Sequence, residues 1–223
     1  MEIAAMFKNP ASYGLGIKYL FIVMIMAFVG SLTGCSPEGD QGYVPMMVGT
    51  TWECRMETSE PGRGKEKQIR SGTVVCRCVA KERIRGRDYL KFMTFMQGFP
   101  GTSEFAIWHR QTTNGIYVIK LKQENPESLL LPLPPKVGLS WTAEESEAKI
   151  IGFIEAVETV DLPERSYANC HRIKYESYDS QGRALNKTTL WLAKGIGFVK
   201  VESESEAAGS KTKQWLTKYS PAR

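Results

Sequence analysis

From Gly42 onward, short runs of alternating apolar and polar residues are separated by turn residues, and a period of two suits strands with one buried face. Asp88 to Met96 follows the Gly86 turn, and Glu104 to Thr112 and Ile116 to Gln123 flank Asn114-Gly115, the strongest short-range hairpin signal. Further strands are expected at Ile150–Val160, Asn169–Tyr178, Thr188–Leu192, Phe198–Ser205 and Lys213–Tyr219. Glu144 to Lys149 carries a weak helical pattern, but strand is preferred there. Successive hairpins build an all-β, antiparallel meander. A sheet of so many strands manages its edges best by curling, so a half barrel is expected.

The segment before this pattern reads as a bacterial lipoprotein signal. Lys8 and Lys18 give a positive leader, Tyr19 to Val29 is uninterrupted apolar, and Leu32-Thr33-Gly34-Cys35 brings small residues up to a cysteine. Cleavage between Gly34 and Cys35 would leave a diacylglyceryl cysteine as the first residue. An uncleaved anchor fits less well, because a span needs about 20 mainly apolar residues and this stretch is interrupted by Gly, Ser and Thr. Ser36 follows the cysteine where an inner-membrane retention signal would place Asp, so the outer membrane, facing the periplasm, is expected. The chain thus divides into a signal peptide (1–34), a lipidated tether (35–42) and one β domain (43–223). No internal linker splits the last part.

The whole chain has 29 basic and 24 acidic residues; without Lys8, Lys18 and Glu2 it keeps 27 and 23, a net charge of +4. That excess is too mild for nucleic-acid binding. Cys54, Cys76, Cys78 and Cys170 remain for an oxidising compartment. If the strand holding Cys54 pairs with the one holding Cys76 and Cys78, one cross-strand disulfide from Cys54 follows, with buried free thiols as the plainer alternative. A metal site on Cys-x-Cys lacks a second cysteine pair or histidine at ligand spacing. No metal and no cofactor is expected.

Val48-Gly49-Thr50-Thr51-Trp52 and Val137-Gly138-Leu139-Ser140-Trp141 share the spacing Val-Gly-x-x-Trp, each after a nearby Pro. They mark either two related halves of one sheet or convergent strand starts. Leu129 to Pro135 is apolar and Pro-rich, which excludes a central strand and suits an edge or a mouth.

Leu162-Pro163-Glu164-Arg165-Ser166-Tyr167-Ala168-Asn169-Cys170, followed by Trp191-Leu192-Ala193-Lys194-Gly195-Ile196-Gly197-Phe198-Val199-Lys200, resembles the TapB-like group of bacterial envelope lipoproteins. Its pattern is Val-Pro-Ala-Gly-x-Phe-x-x-Cys and then Trp-Tyr-Ala-x-Gly-Val-Gly-Leu-Val-Lys, and Pro132 to Trp141 matches a further segment. Glu164-Arg165 departs from the Ala-Gly of the first motif. The resemblance implies a meander curled into a half barrel similar to lipoprotein-carrier folds, and no catalytic residues.

No catalytic motif stands out. His109 and His171 are the only histidines. Cys170 and His171 are neighbours on a strand and so point to opposite faces. Glycines in Lys194 to Phe198 precede a strand, not the helix a phosphate loop requires. Trp52, Trp108, Trp141 and Trp191 either pack as core or line a concavity that receives an acyl chain or glycan. Arg63 to Arg87 holds nine basic residues against Glu66 and Glu82, read as solvated loops and edges in preference to an anionic-surface contact. The leading expectation is a non-enzymatic lipoprotein binding a hydrophobic or polymeric envelope component, lipid or glycan, or a protein partner. A structural assembly factor without a small ligand is the alternative, and an unrecognised enzyme ranks third.

Overall fold

Two six-stranded meanders, joined by the pairing of the first strand with the last, make up the molecule. The structure is a computed structural model of the chain and describes residues 42–62, 66–99, 103–120, 127–145 and 148–222. Gly34, Cys35 and the leader lie outside the described residues.

The first meander comprises β1 (Thr51–Pro61), β2 (Lys67–Ile84), β3 (Arg87–Gln97), β4 (Ser103–Gln111), β5 (Gly115–Ile119) and β6 (Ser128–Pro132). The second comprises β7 (Ser140–Glu145), β8 (Ala148–Asp161), β9 (Ser166–Tyr178), β10 (Ala184–Ala193), β11 (Gly197–Ser205) and β12 (Ser210–Ser220). They form one sheet in the order β6-β5-β4-β3-β2-β1-β12-β11-β10-β9-β8-β7, every pairing antiparallel. The edges β6 and β7 are consecutive in sequence and lie against each other, so the sheet is a nearly closed barrel. The all-β meander is as expected, and its closure goes beyond half a barrel.

A round barrel of this many strands would enclose a channel, since diameter grows with strand number. Here Phe92, Ile107, Ile116, Leu131, Ile154, Ile173 and Leu190, from both meanders, are at most 1% exposed and share one apolar cluster. The barrel is therefore flattened until its two walls pack on each other. Along the same inner surface runs a hydroxyl row. The Thr58 and Thr212 hydroxyls share a hydrogen bond of 3.0 Å, and those of Thr188 and Ser203 one of 2.8 Å.

The sequence echo has a structural counterpart. Val48-Gly49 opens β1 and Val137-Gly138 opens β7, the first strand of each meander. Both glycines have positive φ, 103° and 87°. Gly49 N donates to Cys78 O (2.8 Å) and Cys78 N to Thr50 O (3.0 Å); Gly138 N donates to Ile154 O (2.9 Å) and Ile154 N to Leu139 O (3.0 Å). The same turn thus joins the same two strands in each half, and Trp52 and Trp141 sit at matching register positions. The two strand starts are structurally equivalent.

Two local expectations shift. The β4–β5 turn centres on Thr113-Asn114, with Thr112 N donating to Gly115 O at 2.9 Å. Gly115 serves a close approach instead: a Cβ there would lie 2.7 Å from Leu129 Cδ1 and 3.0 Å from Leu131 O. The apolar Leu129–Pro135 stretch supplies edge strand β6, ending at Pro132, as its prolines required.

Candidate functional site

Two equivalent junctions between the meanders behave differently. At one, β1 and β12 form a ladder from Thr51↔Ser220 to Ser59↔Lys211, with one register shift between Glu53 and Cys54. At the other, β6 and β7 form no ladder among the described residues. The cause is local. β6 has five residues and β7 six, and Pro132, at the end of β6 that faces β7, removes a donor where the ladder would run.

The resulting seam has apolar lips. Leu129, Leu130 and Leu133 are half-buried on one side, with Leu139 and Trp141 on the other. Tyr175 spans the gap from the inner wall, its hydroxyl donating to Leu130 O at 2.8 Å. Its ring meets Trp141 edge-on, centroids 5.6 Å apart, and burial holds its hydroxyl far above the ordinary phenol value. Gly152 lies directly beneath Trp141: a Cβ there would fall 2.3 Å from the indole. The Trp141 indole N–H is buried and has no hydrogen-bond acceptor. Such a group is costly unless something accepts from it.

The other tryptophans differ in role. Trp52 is interior, donating from Nε1 to Ile196 O at 2.8 Å and packing against Phe92 and Tyr219. Trp108 and Trp191 are not on the concave face. Directly paired residues share a face, and Trp191 is registered with Lys200 and Arg172, while its neighbour Leu190 pairs inside with Val201 and Ile173. On the outside Trp191 donates to Glu158 (2.6 Å) beneath the Lys200 ammonium, 4.4 Å from the ring centroid. Trp108 is likewise registered with Lys91 and donates to Glu82 at 3.1 Å.

The expected disulfide is not formed: Cys54, Cys76, Cys78 and Cys170 are free and buried. Register explains this. Cys54 pairs with Val74 and Cys76 with Trp52, so Cys54 meets Cys76 only on the diagonal, where a bridge requires backbone movement. Burial pushes the Cys54, Cys76 and Cys78 thiols up to about 12. Gln214 and Thr94 adjoin the Cys54 and Cys76 sulfurs, yet the Gln214 amide and the Thr94 hydroxyl lack partners of hydrogen-bond geometry. Among the described residues, no group of three His, Cys, Asp or Glu is placed to hold a metal ion.

Cys170 and His171 diverge, as strand neighbours must. The Cys170 thiol donates to Tyr167 O at 3.4 Å, while the His171 ring packs edge-on against Tyr43 at 5.6 Å. His109 is fully buried and packs edge-on against Phe92 at 4.9 Å; desolvation lowers its pKa from 6.5 to about 3. The folded value lies below the unfolded one, so the unfolded chain takes up the proton first as pH falls. This stability is complete above about pH 6.5 and declines towards pH 3, by about 1.4 kcal/mol per unit. Urea unfolding at about pH 7 and pH 5 should therefore show a loss of about 2 kcal/mol that His109→Phe lacks. Identical pH slopes in both proteins would refute this.

One polar site escaped sequence reading. Glu127, just before β6, accepts two bonds of 2.7 Å from Arg110, one of 2.8 Å from Arg87 and one of 2.7 Å from the Tyr89 hydroxyl. Burial raises the Glu127 pKa, but hydrogen bonds from Arg110 and Tyr89 outweigh it and hold the carboxyl below its usual value. Beside it lies an open cleft of about 550 Å³ lined by Arg83, Arg87, Arg110 and Thr112 among others. The basic run itself is divided. β2 spans 18 residues, about 60 Å at strand rise, so Lys67 and Arg70 sit at the opposite end from Lys81 to Arg87.

No family model and no curated protein matches the chain; the TapB-like resemblance rests on its motifs. Solved structures do resemble it. A candidate exported protein with a YmcC-like fold from Bacteroides fragilis is 12% identical, with a TM-score of 0.49, covering 81% of this chain and 99% of that one. A candidate lipoprotein from Parabacteroides distasonis is 8% identical, TM-score 0.49, covering 82% and 100%. A LolA superfamily protein from Nitrosomonas europaea is 12% identical, TM-score 0.35, covering 79% and 87%.

Proposed function

We propose that this chain is a bacterial envelope lipoprotein, anchored through Cys35 on the periplasmic side of the outer membrane, whose barrel holds an apolar or amphipathic envelope component at the β6–β7 seam. It binds and does not catalyse. The observation that carries this reading is the inequality of two equivalent junctions: one is laddered along nine residues of β1 with a single bulge, while the other is left open between leucine lips. There a buried indole N–H lacks an acceptor. An acyl chain would cover the lips, and a polar head oxygen would accept from Trp141. A partner strand is less favoured, because each exposed edge already lies against the other and an added strand would have to wedge between them.

Organic extraction and mass spectrometry of protein purified from membranes should recover an amphiphile from the wild type. Trp141→Ala should lose most of it. Extracts from the two proteins that match a protein-free blank would sink the reading. The anchor is tested separately, since labelled palmitate should enter the wild-type chain and not Cys35→Ala.

A further inference from the structure

We propose that the end of the barrel where β1 begins and β12 finishes is a docking face for a bilayer rich in anionic phospholipid. Odd-numbered strands start at this end and even-numbered strands finish there. It therefore gathers Gly42, Ala222 and the turns at 85–86, 113–114, 133–139, 162–165 and 194–196.

Three features coincide on this end. The first is apolar: the two equivalent Val-Gly turns present Met47 (49% exposed), Val48 (49%) and Val137 (57%) to solvent. A folding reason for large apolar side chains at both turn tips is lacking, because the glycine and tryptophan of each motif do the structural work. The second is cationic. Arg83, Arg85 and Arg87 stand exposed at the β2–β3 hairpin, Lys136 adjoins Val137, and Lys194 tips the β10–β11 turn. Against them stand Asp88, already paired with Lys81 at 2.9 Å, Glu127, paired with Arg87 at 2.8 Å, and Asp161 and Glu164 at the β8–β9 turn. Arg85 holds a φ of 49° ahead of Gly86 (φ 78°), a two-residue turn that Asn or Gly would enter with less strain. An arginine kept at such a position is a charge kept at the tip. Apolar tips ringed by cations are what an anionic headgroup layer accommodates.

The third feature is the route of the chain, and this step rests on the Cys35 anchor proposed above. Residues 35–42 would link the lipid to this same end, and eight residues reach at most about 26–29 Å even fully extended. The tether thus presents this face, and not the opposite one, to the bilayer. Contact by cationic and apolar tips would fix an orientation that a single anchor point alone leaves free.

The test uses mature protein purified from membranes and reconstituted in phosphatidylcholine vesicles with about one-third phosphatidylglycerol. An environment-sensitive fluorophore is attached at Val137→Cys or, at the opposite end, at Ile69→Cys, while the four native thiols stay buried. Brominated lipid should quench the Val137 label at least twofold and leave the Ile69 label unchanged. The triple variant Arg83→Glu, Arg85→Glu, Arg87→Glu should abolish the quenching while the protein stays with the vesicles. Equal responses of the two labels, or full quenching in the triple variant, would overturn the proposal. Mass analysis of the same sample judges the anchor independently: an unacylated amino terminus refutes the lipid while the apolar leader still holds the protein to the vesicle. The label comparison then decides the face alone.

Discussion

Phe92→Ala is expected to destabilise the protein by about 3–5 kcal/mol and to lower Tm by roughly 6–20 °C for a chain of this size. Phe92 is fully buried, tilts against Trp52 with centroids 6.1 Å apart and stacks edge-on to His109 at 4.9 Å. It lies where the two walls of the flattened barrel meet. Its removal leaves a void that neither wall can fill, because each is held rigid by its own ladder. Urea and thermal unfolding measure the loss. A cost under about 1 kcal/mol would mean that the interior is loosely filled, and the packed-wall description would fall.

The second large effect is expected at Gly152→Val. The new Cβ would sit 2.3 Å from Trp141 Cε2 and Cζ2, so the indole must leave its place over β8 and its contact with Tyr175. Overpacking of this kind costs about 1–3 kcal/mol, and more where backbone must move. The amphiphile should be lost with the displaced ring. The equivalent position in the first meander sharpens the argument: Trp52 is registered with Cys76 as Trp141 is with Gly152. There a side chain is accommodated because Trp52 tilts onto Phe92 and Tyr219. Near-ultraviolet circular dichroism reports the ring, and urea unfolding reports the cost. An unchanged spectrum together with native stability would show that Trp141 does not depend on the bare glycine.

Much of the fold was legible because alternation is a local property. Strands such as Phe198–Ser205 and Lys213–Tyr219 were placed within a few residues of β11 and β12, since their buried and exposed faces are written in the side chains. Register was not legible in the same way. Whether Cys54 opposes Val74 or Cys76 is set by where β1 meets β2 across Pro61 and Lys67, and a slip of two residues leaves the burial pattern unchanged. Trp108 and Trp191 show the same ambiguity: a tryptophan covered by Lys91 or Lys200 satisfies its apolar area on an outer face as well as inside. Glu127 gave no signal at all, because Arg87, Tyr89 and Arg110 reach it from two other strands. The Val-Gly-x-x-Trp echo was visible, but its meaning needed the matching hydrogen bonds from Gly49 and Gly138.

The ladder between β1 and β12 joins residues as far apart as Thr51 and Ser220. β1 must therefore wait for β12, made well after it, before its second edge is satisfied. Topologies built on such distant partners acquire their native state slowly, and until then β1 offers a row of unsatisfied amides and carbonyls to any passing strand. In a chain made in sequence order, this edge closes only after β12 has been made. Until then the open edge would be a natural client for holding chaperones, and deleting β12 would strand it there.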